Sequence, residues 1–213
     1  LARFFRAWFY FDMVKKFGDV PWYGKTLATD DPDLYKARDP RTLVMDSVLA
    51  DLDFACSHIR DTKDNSASQV TRWVALAFKS RVCLFEGTFR KHHTKLGLAG
   101  TANDWLDKAA DAADQVMKGN KYQLLTSGDA GQNYRNLFSN ETPNSTEVLL
   151  AAVNNKALRV FNDANWYWTS ATYGGRYSFT KTFINTYLNT DGTPFTAQAD
   201  YNKIPFSEEV KNR

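Results

Sequence analysis

The chain has 213 residues, 43% of them hydrophobic and 24% charged, a balance that suits a water-soluble folded chain with length to bury a core. Its net charge of +3 comes from Lys and Arg interleaved with Asp and Glu, and no basic block stands ready to neutralise a nucleic-acid backbone. No apolar run reaches membrane-spanning length, and the aromatic share of 15% is high and partly placed where no core is expected.

The first predicted element is a helix over 1–17. Phe4, Ala7, Trp8, Phe11 and Val14 follow helical spacing, and Phe5, Phe9 and Met13 form a second stripe. Apolar residues around most of the girth predict a helix buried on several sides. Gly18 and Pro21 end it, and Lys15 and Lys16 suit its last turn. A polar loop over 24–38 follows. Asp39 as N-cap and Pro40 as first helical residue open a second helix, with Met45, Val48, Leu49, Leu52, Ala55 and Ile59 on its apolar stripe. Thr71 caps a third, in which Trp73, Ala75, Leu76, Phe78, Val82 and Phe85 are apolar on more than one face, and Gly87 reads as its stop. The segment 88–102 reads as an exposed loop. Asn103 or Asp104 caps a fourth helix with Leu106, Ala109, Ala110, Ala113, Val116 and Met117 on one side, closed by Gly119-Asn120.

Cap signals thus recur some thirty residues apart, near the tetratricopeptide period of ~34 residues. Beyond 119 the character changes to Gly-, Ser-, Asn- and Thr-rich. The run Val148 to Val153 reads as a short buried strand, 154–177 as an aromatic loop, 180–187 as a short helix, and Asp191-Gly192-Thr193-Pro194 as a turn. The expected organisation is a helical, tetratricopeptide-like scaffold over 1–119 and a loop-rich, ligand-binding part over 120–213 of the same domain. The fold class is mainly α, built of helical hairpins with irregular segments and few short strands. Cys56 and Cys83 sit among apolar helix residues, where buried free thiols are the favoured state and a disulfide stays open.

Sugar rings present an apolar face and a hydroxyl edge, so a site for them wants exposed flat aromatics beside Asn, Asp or Arg. The stretch Asn162 to Ser170 offers that mix. In an extended chain Trp166 and Trp168 would project to one side. Tyr173, Arg176 and Tyr177 flank two glycines just beyond. Two readings stand for these rings: a sugar-stacking platform, or packing of the loop onto the helices. Trp22 and Tyr23 are a second candidate, for which packing back on the helix end weighs more. His92-His93 lacks further ligands at a zinc spacing, and no metal or cofactor is expected. No nucleophile elbow or phosphate loop is present, and no local motif proposes a glycosidase carboxylate pair.

Several stretches, in order, resemble the SusD/RagB family of Bacteroidetes outer-membrane glycan-binding lipoproteins. They are Arg3 to Asp12 running into Phe17-Gly18-Asp19-Val20-Pro21; Asp39-Pro40-Arg41 leading to Leu49-Ala50-Asp51-Leu52; Thr71 to Val82 with Phe85-Glu86-Gly87-Thr88; Phe138, Asn144 and Glu147 to Leu150; Tyr187 before Asp191-Gly192; and the closing Glu208 to Arg213. The resemblance implies a helical, tetratricopeptide-like scaffold whose loops bind oligosaccharide without catalysis, for nutrient uptake. It implies a partner, a SusC-like TonB-dependent transporter, and a surface-exposed outer-membrane location. The lipid anchor would lie N-terminal to Leu1, since this chain reads as an internal piece of a longer protein. A peptide- or protein-binding helical scaffold, as in the RagB branch, is the alternative function.

Overall fold

The computed structural model describes residues 1–126, 129–161, 164–175, 178–209 and 211. The chain divides into two compact units, Leu1–Val153 and Asn154–Arg213. The first carries helices α1 (Ala2–Phe17), α2 (Arg41–His58), α3 (Arg72–His92), α4 (Ala102–Lys118) and α5 (Ala130–Ser139). The second carries the short helices α6 (Ala164–Thr169), α7 (Lys181–Ile184) and α8 (Phe206–Glu209), with two 3₁₀ turns between the last two. The described residues contain isolated β-bridges only, so the chain is mainly α. None of its described helices is long and apolar enough to cross a membrane.

In the first unit α1 packs on α2, α2 on α3, and α3 on α4. Phe4, Ala7, Phe11 and Val14 of α1 meet Val44, Met45, Val48 and Leu52 of α2 and Leu76, Phe78 and Val82 of α3 in one core. Each such buried aliphatic or aromatic side chain contributes about 1.5–3 kcal/mol of transfer free energy. The expectation that α1 is buried on several sides is corrected here. Phe5 and Phe9 are 55% and 57% exposed. Phe4, Ala7, Tyr10, Phe11 and Val14 are buried, while Met13 is partly buried and Trp8 lies at the edge, stacked on Phe78 of α3 at 4.7 Å.

Ionic clamps tie the helices. The Arg6 guanidinium donates to both carboxylate oxygens of buried Asp51 at 2.6 and 2.7 Å, joining α1 to α2. Glu86, fully buried on α3, accepts from Arg41 of α2 at 2.7 Å and from Arg90 one turn further along α3 at 2.8 Å. Arg41 lies 3.7 Å above the Phe89 ring and Arg90 4.8 Å from that of Trp105 on α4. Two cations thus share one carboxylate in the core, so both depend on Glu86 for their counter-charge.

Local expectations are corrected at four places. Gly87 does not end α3, which continues through 88–92, a stretch expected as loop. Its missing side chain instead lets α4 close in, for a Cβ there would lie 2.8 Å from the Leu106 side chain and 3.0 Å from the Ala102 carbonyl oxygen. Asp39 does not cap α2; Asp19 does so from across the loop, accepting the Arg41 N–H at 2.8 Å. The start of α4 has no side-chain cap from Asn103 or Asp104, because a 3₁₀ turn over Ala99–Thr101 feeds into it. The strand over Val148 to Val153 is absent; the run forms no ladder, the Val148 N–H turning back to the Asn144 carbonyl at 2.9 Å and the Ala151 N–H donating to the Ala67 carbonyl at 2.7 Å. Helix α5 was not foreseen, although Asp129 caps it through the Gly131 N–H at 2.8 Å.

Thr71 does cap α3. Asn120, in the left-handed region at φ 51°, closes α4 beside Gly119. Cys56 and Cys83 are buried free thiols, which burial pushes up to about 11 and about 12, respectively. The 191–194 turn holds, with Thr193 donating from its N–H and hydroxyl to the Asp191 carboxylate.

Candidate functional site

The aromatic segment of the second unit is built by α6 and the turn after it. It was expected as an aromatic loop, in which Trp166 and Trp168 would share a side if the chain were extended. The helix overturns this, since residues two apart on a helix are turned by about 200° and diverge. What the structure brings together is Trp166 and Tyr173. Their rings stack with centroids 5.9 Å apart and planes 20° apart. They are 60% and 73% exposed, so the stack is open to solvent. Tyr167 and Trp168 are exposed beside them.

Backbone bonds fold the turn back on the helix. The Ser170 hydroxyl accepts the Tyr173 N–H at 3.1 Å. The N–H of Gly174 donates to the Ser170 carbonyl at 2.9 Å and that of Gly175 to the Tyr167 carbonyl at 2.8 Å. Residue 174 has to be glycine, because a Cβ there would come within 2.3 Å of the Ser170 carbonyl oxygen. The chain therefore returns tightly enough to lay Tyr173 against Trp166. Two flat rings side by side, carrying an indole N–H and a phenol O–H, offer what the apolar face and hydroxyl edge of a sugar require. Arg176 and Tyr177, the other candidates here, lie outside the described residues, as do Asn162 and Asp163.

Trp22 and Tyr23 belong to the first unit and are half-buried. Trp22 leans on Tyr10 at 4.3 Å, with the Arg6 guanidinium 5.0 Å from its ring. Its N–H donates to the Asp39 carboxylate at 2.6 Å, and its carbonyl accepts from Lys36 Nζ at 2.6 Å. The Tyr23 N–H donates to the Tyr10 hydroxyl and its own O–H to the Asp33 carbonyl. Lys36 holds the Asp39 carboxyl below its ordinary range, helped by the Trp22 N–H. These contacts lock the chain as it leaves α1, and Lys36 covers the Tyr23 ring at 4.9 Å. Trp73 and Trp105 are buried on α3 and α4.

Among the described residues no group of three or more His, Cys, Asp or Glu could hold a metal ion. Residue-by-residue reading of the sequence passed over one more feature, a cleft between α2 and α4 lined by apolar residues together with Asp46, Asp53, Arg90, Asp104 and Lys108. The i,i+4 pair Glu86–Arg90 was the one local signal of it.

No protein-family model matches the chain, and no curated protein matches it. Among solved structures it is similar to a SusD-like protein from Bacteroides fragilis, at 23% identity and a TM-score of 0.63. The match covers 96% of this chain and 37% of that one. The chain therefore has the helical fold of part of that structure, and spans well under half of its length.

Proposed function

We propose that this chain is part of a surface-exposed, lipid-anchored outer-membrane protein that captures oligosaccharide without cleaving it and passes it to a SusC-like TonB-dependent transporter. The observation that carries the reading is the solvent-open stack of Trp166 on Tyr173, held by the Ser170 and Gly174 turn. Such contacts contribute about 0.5–1.5 kcal/mol each beyond area burial, so affinity comes from several rings meeting several sugars. Trp168, Arg176 and Tyr177 extend the platform in this reading, and Trp22 and Tyr23, on the first unit, fix the chain as it leaves α1. The likeness to a SusD-like structure supports the fold on which the platform is carried. The anchor and the transporter come from the family resemblance.

The test is a panel of neutral oligosaccharides and unstructured peptides, titrated calorimetrically, with chromatography of the sugars after overnight incubation. Capture predicts saturable binding of at least one glycan with no new products. Peptide binding without glycan binding would favour the helical-scaffold alternative. Hydrolysis abolished by replacing one Asp or Glu would overturn the proposal.

A further inference from the structure

A small open cavity of about 270 Å³ lies wholly within the first unit. Trp8 of α1 and Val74, Phe78 and Arg81 of α3 line it, together with Leu149 and Leu150 from the segment that follows α5. Trp8 and Phe78 are stacked with planes 20° apart, and Phe4 braces both edge-on at 5.8 and 5.5 Å. More of the lining is apolar than polar, and it carries a single charge, Arg81, with no carboxylate. Arg81 is exposed and has neither a hydrogen bond nor an ion pair among the described residues. The residues that helical spacing sets beside it, Ala77, Phe78, Leu84 and Phe85, offer it no acid.

We infer that this cavity binds a small aromatic carboxylate, its ring among Trp8, Phe78 and the leucines and its carboxylate on the Arg81 guanidinium. The lining selects the class. A cation would meet a lone positive charge. A sugar carries hydroxyls around its ring, and the lining side chains supply donors, from Arg81 and the Trp8 indole, but no acceptor for its O–H groups. A flat hydrocarbon ring suits an aromatic wall, and the guanidinium fork matches the geometry of a carboxylate. The volume lies just under the ~300–1,000 Å³ of drug-sized sites, room for one ring and its acid group. The inference rests on no part of the glycan reading, whose Trp166 and Tyr173 belong to the second unit.

The test compares phenylacetate with phenylacetamide, its neutral isostere, and with acetate, which lacks the ring. Each is titrated at constant ionic strength into ¹⁵N-labelled protein, following the Trp8 indole N–H, the amides of residues 81 and 150, and the Trp166 indole N–H. Arg81→Gln is the variant, because the exposed side chain holds nothing else in the fold and glutamine keeps the helix. Phenylacetate should shift the Trp8, 81 and 150 signals saturably. Phenylacetamide and acetate should bind about fivefold more weakly or less, and Arg81→Gln should weaken phenylacetate by about fivefold, the upper end for an exposed ion pair, while leaving phenylacetamide unchanged. No saturable shift at Trp8, a response at Trp166 alone, equal affinity for phenylacetate and phenylacetamide, or wild-type affinity for phenylacetate in Arg81→Gln would each overturn the inference. None of these outcomes bears on glycan capture, which is read separately with sugars.

Discussion

Glu86→Gln is the sharpest probe of how the scaffold is held. In the native protein its two oxygens accept from Arg41 at 2.7 and 3.0 Å and from Arg90 at 2.8 Å, with both side chains less than a tenth exposed. Glutamine has the same shape but puts an NH2 where one oxygen was, so a donor faces a guanidinium. Both buried cations then lack a counter-charge. Breaking a buried pair by removing one partner costs about 3–5 kcal/mol, a large part of the ~5–15 kcal/mol that holds a typical domain. Surface ion pairs make the contrast. Lys15–Asp12 is an i,i+3 pair with both side chains over a third exposed, and Asp12→Asn should cost no more than about 0.5 kcal/mol. Urea denaturation followed by circular dichroism reads both. A loss under ~1 kcal/mol in Glu86→Gln would refute the claim that the Arg41–Glu86–Arg90 cluster ties α2 to α3. The same reasoning predicts that replacing all three by apolar residues of like volume is far milder than the single change.

Three further outcomes are expected. Gly119→Ala would place a Cβ 2.2 Å from the Trp73 ring, so thermal unfolding should register an overpacking cost of about 1–3 kcal/mol. Asp64 is held down to about 2, chiefly by the Ser66 hydroxyl and then by the Ser68 N–H. Its folded value lies below the unfolded ~3.9, so its contribution is full above about pH 4 and is lost as pH falls through about 2. Asp64→Asn should flatten the acid side of the stability profile in that window and leave the alkaline side alone. Gly174→Ala, which would press a methyl into the Ser170 carbonyl, should move Tyr173 off Trp166 and weaken glycan binding without unfolding α1–α4; unchanged binding would show that the turn geometry is irrelevant to capture.

The helical scaffold was legible because its signals are local. The Phe4, Ala7, Phe11 and Val14 spacing on α1, the Thr71 cap and the Gly119-Asn120 close each need only a few neighbouring residues. What periodicity could not say is which stripe meets a neighbour. Phe5 and Phe9 look as apolar as Phe4 and Phe11, yet both are more than half exposed while Phe4 and Phe11 are buried. Gly87 carries the same letter whether it stops a helix or admits α4, and the choice is made by Leu106 nineteen positions on. Asp39 lost the cap to Asp19 because the loop between them closes on itself through the Val20 and Asp39 bridge. The loop aromatics were visible as residue types. Their arrangement was not: the Asn-rich stretch around Trp166 carries no helical period and read as loop, while the six-residue helix is held by Gly174 and Gly175 folding back on it. The cleft at Arg90 left only the Glu86–Arg90 spacing as a trace, since Asp46, Arg90 and Asp104 share no local pattern.

The central claim is that Trp166 and Tyr173 form a sugar-stacking platform. Calorimetric titration of the best glycan from the panel into wild type and Trp166→Ala tests it most directly. Loss of one stacking partner worth about 1 kcal/mol predicts a dissociation constant at least fivefold weaker in the variant, with thermal stability unchanged because the ring is exposed. Equal affinity of the two proteins for every glycan that binds would contradict the account.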